Sequence, residues 1–173
     1  EKGAVRHGIP QTLTRRLYLQ LQAFGGCKDT AGIIAATRDS GLESVVYVDV
    51  NDPLGVALLT IAEDPEIFVT DARDFIVNSP FCELDQKPGL TMMGRSYSSG
   101  READLEDWLV RKPRRNALNP EWPWAVWYPL RRKSEFNVMS PADQGKILME
   151  HAMIGRSYGS SGYAQDIRLA CYG

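Results

Sequence analysis

Leu17, Leu19 and Leu21 alternate with Tyr18, Gln20 and Gln22, a period of two that predicts a half-buried strand. The first 14 residues show no such period, contain Gly8-Ile9-Pro10, and read as an extended arm. Gly25-Gly26 ends the first strand; Asp29 or Thr30 can then cap a helix through Ala31, Ile34, Ala35 and Arg38, closed by Gly41. "ESVVYVDV" is β-branched and aromatic, Asn51 to Gly55 is turn chemistry, and "VALLTIA" is apolar throughout, so the pair predicts a hairpin. Asp64-Pro65-Glu66 starts a helix with an acceptor cap, a proline at the first position and an acid in the first turn. That helix is expected through Phe68, Ala72, Phe75 and Ile76 towards Asn78, and "LTMMGRSYS" follows as a strand. The order β-α-β-β-α-β is a split β-α-β, or ferredoxin-like, unit over residues 15–99.

The pattern changes between residues 100 and 123, where mixed charges surround Leu105, Trp108 and Leu109 and prolines appear at 113, 120 and 123. A short helix and a crossing linker are expected there. "WAVWYPL", Trp124 to Leu130, predicts another strand. Ser140-Pro141-Ala142-Asp143 is a capping box for a helix that carries Ile147, Leu148, His151 and Ala152 on one side. "AQDIRLACYG" predicts a further strand, with Gly173 as the turn after it. The second half, residues 124–173, thus begins the same order and reads as cut within its domain. The expected fold class is α+β, two ferredoxin-like repeats with the second incomplete. "MMGRSYSSG" and "IGRSYGSSG" share a run, but the first closes a strand and the second leaves a helix, so they are not counterparts. Neither matches a phosphate-loop pattern.

A net charge of −2 argues against a dedicated nucleic-acid binder. Two basic runs, Arg111 to Arg115 and Arg131 to Lys133, are solvated faces or flank a small anionic ligand. Cys27, Cys82 and Cys171 are scattered and odd in number, which suits a reducing cytoplasm and offers no thiolate metal site. No stretch approaches the roughly 20 apolar residues of a membrane span. The chain opens without the apolar run of a signal peptide.

His151 is one of two histidines; the other, His7, lies in the arm. On an apolar helix face it is either a core residue with one satisfied hydrogen bond or a ligand. Zinc wants three or four convergent nitrogen or sulfur donors, whereas iron in a macrocycle is commonly held by one proximal histidine. "WAVWYPLRRKSEF", the capped helix ending "EHAMIGRSY" and the strand ending "YG" together resemble the chlorite dismutase and coproheme decarboxylase family. The resemblance covers most of the chain and implies a dimeric α+β barrel. It also implies haem b or coproheme in the C-terminal repeat and assembly into a homo-oligomer, commonly a pentamer.

The same resemblance implies roles for single residues. His151 matches the proximal iron ligand, and Tyr128 the tyrosine that relays an electron from a propionate. Arg132 stands where decarboxylases carry a propionate-binding lysine. It keeps the charge, but a guanidinium does not act as a proton donor. Arg114 or Arg115 is the second propionate anchor. Asp166 falls at the open side of the iron, where chlorite-splitting relatives have arginine and many decarboxylases glutamine. Arg168, two residues on, points to the same strand face and replaces it if the register slips by two. The expected function is that of a haem-family oxidoreductase, a peroxide-dependent coproheme decarboxylase with tetrapyrrole and peroxide as substrates. The alternatives are a haem-binding or interaction protein without catalysis and, behind it, a chlorite-splitting enzyme. A chain ending at Gly173 lacks the far wall of the pocket, so these residues alone are expected not to hold the cofactor.

Overall fold

The computed structural model describes residues 1–172; Gly173, and with it the expected terminal turn, lies outside them. The chain divides into two compact units, Glu1–Pro123 with Arg168–Gly173, and Trp124–Ile167. The whole is mixed α and β with antiparallel sheets.

In the first unit the leading residues are not an arm. β1 (Lys2–Arg6) and β2 (Ile9–Thr12) form an antiparallel hairpin. Its two-residue turn has φ of 50° at His7 and 80° at Gly8, the double positive φ that tight hairpins need. The hairpin is tied down through Ala4 N to Glu102 O at 3.0 Å and through the Gln11 amide to Ala103 O at 3.1 Å. These partners lie about ninety residues away, so no local period announces them.

The central sheet contains β3 (Tyr18–Gly25), β4 (Ser44–Val48), β5 (Val56–Ala62), β7 (Met92–Ser96) and β8 (Leu169–Tyr172) in the order β4-β5-β3-β7-β8. A short β6 (Asp85–Gln86) pairs with the end of β3. α1 (Thr30–Asp39) begins at Asp29, whose carboxylate accepts from Gly32 N at 2.8 Å, and Gly41 beyond its end has φ of 73°. The β4–β5 turn is closed by Gly55 N to Asp52 O at 2.8 Å and by Asx bonds from Asp49 and Asp52.

The single helix expected from Asp64 is broken in two. Asp64 caps a 3-10 turn over Pro65–Phe68, and α2 (Asp71–Asn78) starts afresh after Thr70. At the break the Thr70 hydroxyl donates back to Glu66 O at 2.9 Å and its backbone leaves the helical region.

Alternation along β3 and β5 puts Phe24, Val56 and Leu58 on one face, where they pack with Ile33, Ile76 and Phe81 from the helical layer. The Phe24 and Phe81 rings lie 5.0 Å apart and tilted. The opposite face buries Leu19, Leu21, Leu59 and Ile61. Full burial of each such side chain contributes roughly 1.5–3 kcal/mol.

The expected linker helix is present in two parts, a π-helical turn over Asp107–Arg111 and α3 (Lys112–Leu118). Pro113 explains the irregularity: it has no N–H to give Leu109 O, and Lys112 N reaches back five residues to Asp107 O. The freed Leu109 carbonyl accepts instead from the Ser96 hydroxyl at 2.6 Å and Leu17 N at 3.2 Å, bolting the turn to β3 and β7.

The second unit departs most from expectation. Residues 124–133 form no strand. Trp124, Val126, Tyr128 and Leu130 are exposed. The run is apolar and aromatic as a strand's is, but a strand also needs a neighbour to take its backbone hydrogen bonds, and Pro129 withholds one donor. α4 (Ser134–Val138) is short. α5 runs Pro141–Ser160, opened by the Ser140 cap: its Oγ accepts from Asp143 N at 3.2 Å and donates to the Asp143 carboxylate at 2.8 Å, so that carboxylate meets the cap hydroxyl and not the cap N–H of the expected box.

α5 continues through the second Gly-Arg-Ser-Tyr run to Ser160, so residues 155–160 are helix. The expected strand from Ala164 begins only at Leu169, and it joins β7 in the first unit's sheet instead of starting a second sheet. A second split β-α-β repeat is therefore not formed by the described residues.

Candidate functional site

α5 sets out its side chains in a simple order. Ile147, Leu148, His151, Ile154, Gly155 and Tyr158 follow one another at intervals of one or three and share one face. Ile147, Leu148, Ile154 and Tyr158 are 46, 44, 61 and 57% exposed, and no residue of α5 is buried. His151 is exposed among them and has no hydrogen-bond or ion-pair partner among the described residues. A Cβ at Gly155, one turn on, would meet nothing within 4 Å. The face is thus apolar, flat beside the imidazole, and uncovered. The core-histidine reading fails, because this imidazole is neither buried nor satisfied.

Tyr128 lies in the same unit, in the extended stretch before α4, and is 63% exposed. Arg132 follows; its guanidinium carbon stands 5.1 Å from the centre of the Phe136 ring, a cation–π contact that leaves its donor edge open to an anion. Asp166 belongs to this unit too, in the irregular segment before β8. The expectation that Asp166 and Arg168 share a strand face is corrected, since both precede the first ladder pair at Leu169.

The remaining candidates sit in the first unit, engaged elsewhere. Arg114 on α3 pairs with Glu43 at 2.6 Å and Glu63 at 3.4 Å. Arg15 closes the same network, 2.8 Å from Glu63 and 2.9 Å from Glu106. Hydrogen bonds from Arg15 hold the Glu63 carboxyl below its ordinary range, and Arg114 adds to the effect. Arg115 stands 3.3 Å from Asp107. The Arg168 guanidinium carbon lies 4.1 Å from the centre of the Trp108 ring, with Lys112 Nζ at 4.4 Å from the same centre. Trp108 Nε1 donates to Tyr97 O at 3.2 Å. The indole is thereby held between two cations, an arrangement foreshadowed by the four-residue spacing of Trp108 and Lys112 but not by anything near Arg168.

Other polar groups in the first unit have structural work. Burial would raise the Glu102 carboxyl, but hydrogen bonds from Ser99 and the Arg101 amide outweigh it and lower its pKa. Asp52 and Lys87 form an ion pair beside Gly25, and the bond lowers the carboxyl and raises the ammonium. Gln20 Oε1 and Thr60 Oγ1, on directly opposed residues of β3 and β5, are buried without a partner among the described residues. Two shallow clefts, of about 190 and 250 Å3, border Phe24 and Tyr47 respectively, and neither includes a candidate residue.

Among the described residues no group of three or more His, Cys, Asp or Glu could hold a metal, and no helix is long and apolar enough to cross a membrane. The three cysteines are unpaired. The arrangement offers one imidazole donor on an apolar face, a phenol and a guanidinium in one unit, and no multidentate protein cage. No family model and no curated protein matches this chain.

Proposed function

We propose that this chain is part of a tetrapyrrole-binding protein of the chlorite dismutase and coproheme decarboxylase type, with His151 as the single protein ligand to iron. The observation that carries the reading is the exposed, unpartnered imidazole on an apolar helix face whose next turn is a bare glycine. That donor set suits a metal whose other equatorial positions come from a macrocycle. Glycine beside the ligand allows a flat ring to approach the helix closely. The strand order β7-β3-β5-β4 of the first unit agrees with a ferredoxin-like repeat. The region from Trp124 is on this reading the start of a second repeat, and the assembly a homo-oligomer, a pentamer by resemblance. The free thiols suit a cytoplasmic setting.

In the catalytic form of this proposal a bound iron tetrapyrrole, with peroxide as oxidant, would supply the oxidising power. His151 binds and orients the group from the helix side. Tyr128 supplies a phenol as the electron relay from a propionate, and Arg132 anchors a carboxylate by a charge-assisted hydrogen bond. An aspartate at position 166 in place of arginine disfavours chlorite as substrate, because a carboxylate repels an anion.

A second reading, a haem-binding protein without catalysis, draws on a separate observation. Arg114 and Arg115 already face Glu43, Glu63 and Asp107, so a second propionate would have to compete with protein carboxylates for either guanidinium. Titration of the full-length protein with ferric haem and with iron coproporphyrin tests binding: a Soret shift is expected with the natural sequence and not with His151→Ala. An unchanged shift in the variant sinks both readings. Adding peroxide to the iron coproporphyrin complex then separates them. Mass loss of carbon dioxide, abolished by Tyr128→Phe, supports the decarboxylase; intact substrate leaves binding alone.

A further inference from the structure

We draw no further inference here: the strongest candidate, the exposed apolar patch of helix α5 around Met149 and Met153 in the second unit, carries nothing because nothing in the structure shows what covers it.

Discussion

Ser96 and Ser157 occupy the same place in two Gly-Arg-Ser-Tyr runs and do unrelated work. Ser96, 1% exposed on β7, accepts from Leu17 N at 3.0 Å and donates to Leu109 O at 2.6 Å. Ser157 is on the surface of α5. Alanine at position 96 removes one hydrogen bond to a buried carbonyl and one from a buried amide, which should cost about 1–3 kcal/mol of stability. Ser157→Ala should stay within ~0.5 kcal/mol of the natural chain. Urea unfolding of both variants checks the contrast, and equal midpoints would mean the buried bolt is not made. Neighbouring Gly94 has a different constraint: an added Cβ would stand 2.9 Å from the Leu169 Cβ and 3.2 Å from Ala170 O. Valine there should expel β8 while the β3–β5 pairing persists. Amide exchange at Ala170 and Cys171 would then rise to that of an unpaired segment, and unchanged protection would refute the close approach. None of this was legible in the run itself, because a four-residue string does not record whether its partner is a sheet or water.

At the scale of elements, α3 shows how charge adds to apolar packing, since it buries Pro113 and Ala117 as well. Its Arg114 bridges Glu43, before β4, and Glu63, after β5, and Arg15 shares Glu63. The Glu63 carboxyl is lowered in the folded chain from an ordinary 4.5, so the unfolded chain takes up the proton first as pH falls. Stability from this clamp is therefore fully present above that ordinary value and disappears as pH drops through the lowered one. The pairs are partly exposed, so the amount is modest, ~1 kcal/mol or less. Urea midpoints between about pH 6 and about pH 3 should fall less steeply in Glu63→Gln than in the natural chain. Parallel curves would show that the clamp does not couple to folding. Elements whose causes are local were legible: a cap at Asp29, one of the two residues expected for it, the Ser140 cap and "VALLTIA" stand where their own residues place them. "WAVWYPL" was not, since its apolar, aromatic composition is intrinsic but its ladder partner is not supplied by the described residues. The helix from Asp64 broke because Thr70 bonds backward, a competition that apolar spacing cannot reveal.

Over the whole molecule, four of the candidate residues and the buried core fall in different units. Every buried apolar side chain among the described residues falls between Leu17 and Ala117. His151, Tyr128, Arg132 and Asp166 all fall in the other unit. The residue types were legible from their strings, but their separation was not, because burial depends on neighbours that periodicity cannot name. This separation has an energetic consequence. A helix with no buried residue is held by its own hydrogen bonds and its Ser140 cap, whereas β3 and β5 can open only by exposing the core. Hydrogen exchange should therefore show the amides of α5 protected far less than those of Leu19, Leu21, Leu58 and Leu59. A tetrapyrrole docked on Ile147, Leu148, His151 and Ile154 would cover that face and bind only the helical form, which slows exchange along α5 by mass action. Added ferric haem should thus raise protection across residues 147–158 in the full-length natural protein and leave it unchanged in His151→Ala, with β3 and β5 unaffected in both. Equal protection of α5 and β5 before any addition would show that the helix is already covered, and the haem-facing reading of its apolar side would fall with it.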